Sequence, residues 1–285
     1  VKQALILDCN YICHAVYHSM PSLSYNTKNT SVIFGFMKKI ISFSSQFQSY
    51  KLVFVWDSKY SIRKEVYPDY KKLREKRHAD ASEEEKRSKR DAHRQFSEIR
   101  DVVLPMLGFK NIYSQDGYEA DDLMASIKEN NPGYKLIIVT TDKDMYQLIS
   151  DNCMLYSPAS KSMQTVTTFY DEFGCNPSMW GKARAISGCS TDNVKGVSGV
   201  AEKTAIKYLT GKLNPNTKKY QAIHSSGNMI RNNEELIVLP MYGTDKIEIR
   251  EDDNTDRHKL IKVCEKYNFL SLITERNLNI WDRIS

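Results

Sequence analysis

The chain has 285 residues, 41% of them hydrophobic and 27% charged, with 41 Lys and Arg against 35 Asp and Glu for a formal charge of +6. That length is ample for a conventional hydrophobic core in one large domain or two modest ones, and no run approaches the roughly 18 apolar residues that a bilayer span requires. Six scattered cysteines without C-x-x-C pairs argue against a disulfide framework or a zinc ribbon, an amino-terminal stretch too soon acidic for a secretory signal points to a cytoplasmic protein, and the basic balance points to a polyanionic partner.

Ala4-Leu5-Ile6-Leu7 is a short apolar run ending at Asp8, which reads as a buried strand delivering an acid at its carboxyl end. Lys51 to Trp56 repeats the arrangement and ends at Asp57. Leu136 to Thr141 does so a third time, ending at Asp142 with Asp144 two residues on. Amphipathic segments between these runs (Val32 to Phe47, Phe96 to Leu107) predict a parallel sheet covered by helices on both faces. In such sheets the ligand site lies beyond the carboxyl ends of the strands, where all four aspartates would gather.

From Arg63 to Arg94 the composition changes to Arg, Lys and Glu. Its second half, with Glu83-Glu84-Glu85-Lys86-Arg87, fits a solvated helical face laced by i to i+4 ion pairs. In its first half Tyr67 and Tyr70 are interleaved with Arg63, Lys71 and Arg74, and aromatics beside cations suit a backbone phosphate with an exposed base. Too few apolar residues are present for independent packing, which predicts a segment that rises from the sheet and orders on substrate.

Glu119-Ala120-Asp121-Asp122 opens the next helix, between expected strands at Lys110 to Tyr113 and Lys135 to Val139. A helix N-terminus tolerates negative charge, but three acids within four residues raise one another's pKa unless a cation holds them ionised. Taken alone, the triplet reads as an acidic N-cap. Taken with the strand-end aspartates, it is a set of hard oxygen donors that selects Mg²⁺ or Mn²⁺.

Pro177 to Ile186 reads as a helix with proline in its first turn. A turn of small residues follows, in which Lys195, Gly196, Val197, Gly199 and Val200 lead into a helix from Ala201 to Leu209 carrying Lys203 and Lys207. Amide N–H groups of such a turn can grip a phosphate or a monovalent cation without reading sequence. From Leu213 the signals thin: Glu248 to Asp256 reads as an acidic surface loop and Leu260 to Leu272 as amphipathic, with no chemistry assigned.

With these residues in place, the chain resembles the 5′ nucleases, the flap endonucleases and 5′-3′ exonucleases of the stand-alone phage and bacterial type. The resemblance covers most of residues 4 to 210. It runs in order through Leu-Asp at Asp8, Trp-Asp at Asp57, Tyr70-Lys71 with Arg74, Glu-Ala-Asp-Asp at 119 to 122, Thr-Asp-Lys-Asp at 141 to 144 and Asp-Asn-Val-Lys-Gly-Val at 192 to 197. It implies a PIN-like α/β domain over 1–170 with a helical arch at about 60–100, and a helical part over 171–285 with a helix-two-turn-helix near 186–209. It also implies a first divalent ion among Asp8, Asp57, Glu119 and Asp121 and a second among Asp122, Asp142, Asp144 and Asp192. Lys71 and Arg74 would meet the scissile phosphate, Tyr70 would lie near the displaced nucleotide, and the turn at Gly196, Val197, Gly199 and Val200 would grip duplex DNA with a K⁺ ion.

The chain departs from the family pattern at several positions. Cys189 stands where an acid is usual three residues before Asp192, Cys9 replaces a glycine, Ala15 after His14 replaces an arginine, and Ala201 replaces a glycine. The implied activity is Mg²⁺-dependent hydrolysis near single-strand to duplex junctions of 5′-flap, nicked or 5′-ended DNA, extending to RNA-DNA hybrids, by a monomer without an attached polymerase. A structure-specific DNA-binding protein with feeble cleavage and a PIN-type ribonuclease are the competing readings. An aspartyl-phosphate phosphatase is disfavoured because Asn10, not an acid, stands two residues after Asp8.

Overall fold

The computed structural model of the protein describes residues 1–20, 23–26, 28–48 and 50–284, with the side chains of 75–78 in the expected arch outside that description. Six strands form the central sheet: β1 (Lys2–Asp8), β2 (Lys51–Val55), β3 (Ile112–Tyr113), β4 (Tyr134–Val139), β5 (Cys153–Ser157) and β6 (Ser162–Gln164). Their spatial order is β3-β2-β1-β4-β5-β6, and all neighbours are parallel except the antiparallel β5–β6 pair at the edge. The mostly parallel, helix-flanked sheet expected from the three apolar runs is therefore present. β5 and β6, where no strand was expected, are short and partly polar, so their apolar run is too brief to stand out.

Residue alternation explains why these strands are apolar throughout. Leu5, Leu7, Leu52, Phe54, Ile137 and Val139 face one core, while Ala4, Ile6, Val53, Val55, Leu136 and Ile138 face the other. On the first face lie α1 (Cys9–Ser19), α2 (Ser31–Gln46) and the end of α5 (Glu83–Glu98). α5 runs on as a wide turn (Ile99–Val103) into Leu104–Met106, so the expected helix at Phe96 to Leu107 is the tail of a longer one. Pro105, which has no N–H to continue the ladder, sits where the helix leaves its regular turn. Gln95 is fully buried and its Oε1 accepts from the N–H groups of Val32 (2.9 Å) and Ile33 (3.3 Å), docking α5 onto the start of α2.

Between β2 and α5 lie two shorter helices, α3 (Arg63–Val66) and α4 (Lys72–Ala79). On the second face α6 (Ala120–Asn130) packs with α7 (Trp180–Ser187) and α8 (Glu202–Leu209). α9 (Lys218–Ser225) and α10 (Gly227–Ile237) follow, the latter carrying the apolar Leu236 and Ile237. α11 (Arg257–Lys266) and α12 (Glu275–Trp281) return to the first face, where Leu260, Val263, Cys264 and Trp281 are wholly buried against α2 and the sheet.

The segment Glu248 to Asp256 is the largely exposed loop expected, but it is anchored to the core at two points. Ile249 is buried, and its N–H donates to Asn131 Oδ1 at 2.9 Å, while Asn131 Nδ2 donates to Ile247 O at 2.9 Å. Asp253 accepts from Asn111 Nδ2 at 2.8 Å and from the Lys110 N–H at 2.6 Å. Buried asparagine amides here stand in for a neighbouring strand, which a reading based on charge alone does not detect. All six cysteines are free and buried.

Candidate active site

Parallel register places the acids. Asp8 pairs with Val55 across β1 and β2, and Leu7 pairs with Val139 across β1 and β4, so Asp8, Asp57 and Asp142 leave the sheet at one edge. Asp8 caps α1, its Oδ1 accepting from the Tyr11 N–H (2.9 Å) and its Oδ2 from Thr140 Oγ1 (3.3 Å). Asp57 Oδ1 accepts from the Ala120 N–H at 2.8 Å, which draws the start of α6, and with it Asp121, to the same edge. Asp142 caps the turn after β4 by accepting from the Asp144 N–H at 2.8 Å.

These four carboxylates share an electrostatic condition. Burial and then the neighbouring Asp57 push the Asp8 carboxyl up to about 7. Burial followed by Asp142, Asp8 and Asp57 holds Asp121 well above the usual carboxylate range. Asp57 and Asp142 are raised as well, in both cases chiefly by burial. Negative charge that is dehydrated and mutually repelling is what a divalent ion would relieve.

The remaining acids are each matched to a cation. Asp122, expected around the second metal, is wholly buried and forms a two-pronged pair with Arg63, Nη1 to Oδ2 at 2.6 Å and Nη2 to Oδ1 at 2.7 Å. It also accepts from the N–H groups of Met241 (2.9 Å) and Glu119 (3.3 Å). Its oxygens are committed to these donors, so Asp122 supports the fold beneath the site and is not placed as a ligand. Arg63, expected to touch DNA, is 1% exposed, and its Nε donates to Leu236 O at 2.8 Å. That expectation is corrected for the same reason.

Glu119 Oε2 receives Lys71 Nζ at 2.8 Å and the Tyr70 hydroxyl at 3.0 Å. Burial would raise Glu119, but Lys71 and Arg63 outweigh it and hold the carboxyl below its ordinary value. Asp192 Oδ1 receives Arg74 Nη2 at 2.8 Å, and its backbone carbonyl receives the Lys71 N–H at 2.9 Å. Lys71 takes a left-handed φ of 55° at this junction, which turns the chain down onto the acids. Lys71, Arg74 and Tyr70 therefore do meet the acidic cluster. Tyr70 is buried against Cys189, Val194, Leu236 and Ile237, a position that supports the arch base and does not offer a ring to a base. Tyr67 packs beside this group, with its hydroxyl 3.4 Å from Asn193 O.

Asp144 Oδ1 receives Arg184 Nε at 2.6 Å, and Arg184 Nη1 reaches Glu202 Oε1 at 2.8 Å. Sequence reasoning missed Arg184, because a lone arginine in a helix that ends in a chain reversal carries no local signal. Cys189 Sγ lies 3.4 Å from Asp144 Oδ2 and 3.0 Å from Thr191 Oγ1, and burial followed by Asp144 pushes its thiol up to about 11. Asp8, Tyr11, Arg74, Asp142, Arg184 and Thr191 are among the residues that line a cleft of about 460 Å³ at this edge.

The turn after α7 is shaped by close backbone approach. A Cβ on Gly196 would sit 2.1 Å from the Ser187 carbonyl carbon, while Gly199 has a φ of +72° and open space around it. Val197 and Val200 are buried in the second core, their N–H groups donating to Ile186 O (2.8 Å) and Val197 O (3.0 Å), and Lys195, Lys203 and Lys207 are exposed beside them.

A family model for the 5'-3' exonuclease N-terminal resolvase-like domain matches residues 3–174. The chain belongs to the 5'-3' exonuclease family. A 5'-3' exonuclease of Aquifex aeolicus is 28% identical over 299 residues, covering 96% of this chain and 95% of that protein. The thermostable DNA polymerase I of Thermus thermophilus is 32% identical over 212 residues, and the match spans 73% of this chain but only 24% of the polymerase. The D15 protein of bacteriophage T5, crystallised with metal ions, superposes with a TM-score of 0.74 at 19% identity over 96% of this chain and 100% of that one. Family membership and fold therefore agree with the resemblance read from the motifs. Among the described residues no helix is long and apolar enough to cross a membrane.

Proposed function

We propose that this 5'-3' exonuclease family chain hydrolyses phosphodiester bonds near single-strand to duplex junctions of DNA, on 5′ flaps, nicks and 5′ ends, in replication or repair. The observation that carries the reading is the split among the acids: Asp8, Asp57, Asp121 and Asp142 are raised together at the carboxyl edge, while Glu119, Asp122, Asp144 and Asp192 each hold a cation. All four raised donors are carboxylate oxygens, which fits Mg²⁺ or Mn²⁺. Such an ion supplies Lewis acidity toward the phosphate and a nucleophile at neutral pH.

The chain's own residues do the rest. Lys71 and Arg74 stand over the acids and exchange Glu119 and Asp192 for the scissile phosphate, where their charge counts most as the transition state forms. Thr140 and the Tyr11 N–H hold the Asp8 carboxylate in one orientation. Lys195, Lys203 and the turn at Gly196, Val197, Gly199 and Val200 grip the duplex by shape and charge, and K⁺ would be the ion held at that turn. Residues 1–170 then act as the catalytic part and 171–285 as the duplex arm of a monomeric cytoplasmic enzyme, with RNA-DNA hybrids as further substrates.

A labelled 5′ flap, a nicked duplex and an RNA-DNA hybrid offered with Mg²⁺ and with EDTA test this. Cleavage near the junction should vanish with EDTA and fall by at least about 100-fold in Lys71→Ala. Full activity in either case would remove the proposed mechanism.

A further inference from the structure

Three donors beside the uncompensated quartet stand in closer mutual reach than its own members. The ligand atoms of Asp144, Cys189 and Asp192 all lie within 4.8 Å of one another, and among the described residues no other group of three or more acids, histidines or cysteines meets that spacing. Asp144 comes from the turn after β4, and Cys189 and Asp192 from the reversal after α7. Each carboxylate has one oxygen taken by an arginine: Asp144 Oδ1 by Arg184 and Asp192 Oδ1 by Arg74. Among the described residues, that leaves Asp144 Oδ2 turned to the thiol at 3.4 Å, and Asp192 Oδ2 with only a long contact from the Tyr70 hydroxyl at 3.5 Å. Glu202 fixes Arg184 from behind, so the orientation of Asp144 is held from outside the cluster.

A sulfur among two carboxylates changes the ion that fits. Mg²⁺ demands oxygen at short, near-octahedral distances, whereas zinc and cobalt accept mixed sulfur and oxygen donors with bonds of about 2.0–2.3 Å. Donors already this close need only a small contraction to close on such an ion.

Resting on the metal-dependent reading above, we infer that Asp144, Cys189 and Asp192 form a mixed oxygen and sulfur site that takes a borderline-soft divalent ion of the zinc and cobalt class in preference to magnesium. On binding, the Sγ–H bond of Cys189 breaks, its proton passes to solvent, and the sulfur lone pair goes to the ion, with no change of oxidation state. The quartet of Asp8, Asp57, Asp121 and Asp142 keeps its preference for a hard ion, so the two positions differ in the metal they select.

Titration of the intact chain with Co²⁺ alone tests the inference without recourse to activity. One equivalent should produce a sulfur-to-cobalt charge-transfer band that excess Mg²⁺ does not remove. Cys189→Ser, checked for an unchanged far-ultraviolet spectrum, should lose the band, and Cys189→Asp should lose it while its preference for cobalt over magnesium falls by at least about tenfold. A band that persists in Cys189→Ser would place the sulfur elsewhere and overturn the inference. Cobalt binding without any band would overturn it and leave the proposed function standing, whereas failure to bind any divalent ion would remove both.

Discussion

Asp121 and Asp122 are adjacent in sequence and differ in everything that matters to their carboxylates. Asp122 is neutralised by Arg63 in a buried, two-pronged pair, and removing one member of such a pair leaves an uncompensated charge. Asp122→Ala should cost about 3–5 kcal/mol in urea unfolding with EDTA present. Among the described residues Asp121 has no such partner, so Asp121→Asn should leave metal-free stability unchanged or higher while divalent-ion affinity is lost. Equal destabilisation by the two substitutions would contradict the division of roles. Asp8 adds a pH dependence. Its carboxyl is raised from 3.8 to about 7 in the folded chain, so the proton binds more tightly there than in the unfolded chain. The stability this gives is complete below the unfolded value and is lost as pH rises through about 7. Glu119 is shifted the other way, and its contribution is lost only in the acid range below its ordinary value. The chelated chain should therefore melt higher near pH 5 than near pH 8, and saturating Mg²⁺ should flatten the difference. At this scale the strand-end aspartates were legible, because a buried apolar run ending in an acid is a local pattern. The Arg63–Asp122 and Arg184–Asp144 pairs were not, since their partners lie 59 and 40 residues apart and nothing local marks either arginine as paired.

The turn between α7 and α8 shows what an element can and cannot reveal before it folds. Its glycines were legible as a turn, but their separate jobs were not. Gly196 is needed because the Ser187 and Gly188 backbone passes where a Cβ would stand, and Gly199 because its φ is +72° in open space. Gly196→Ala should cost about 1–3 kcal/mol and weaken duplex binding with it, since the strand reversal that carries Asp192 must shift. Gly199→Ala meets only the backbone penalty of about 1–2 kcal/mol. Thermal melting of both variants checks the order, and a larger loss at Gly199 would show that the close approach does not govern the turn. The arch base was legible as aromatic and basic, but not as a contact. Only in the fold does the left-handed turn at Lys71 bring its amine onto Glu119 and bury Tyr70 beside Cys189.

Across the whole molecule, the two parts read from sequence share their cores. Leu260, Val263 and Trp281 of α11 and α12 belong to the cluster built on α2 and the sheet, and Phe169, Trp180, Ile206 and Ile223 belong to the cluster under α6. Arg63 bonding to Leu236 O and Asp122 to the Met241 N–H tie the late helices to the catalytic edge. Trp56 at the sheet edge, Trp180 on α7 and Trp281 on α12 should therefore report one unfolding midpoint in single-tryptophan variants, and separate midpoints would contradict a shared core. The late segments were hard to read because their apolar residues are spread thinly and find partners only across the chain. The account as a whole depends on the quartet of raised carboxylates. An anomalous map from crystals soaked in Mn²⁺ at neutral pH is the most direct measurement of it. The account predicts a peak within coordination distance of Asp8, Asp57, Asp121 or Asp142 oxygens and none on Asp122; a quartet left empty, or a peak bound by Asp122, would contradict it.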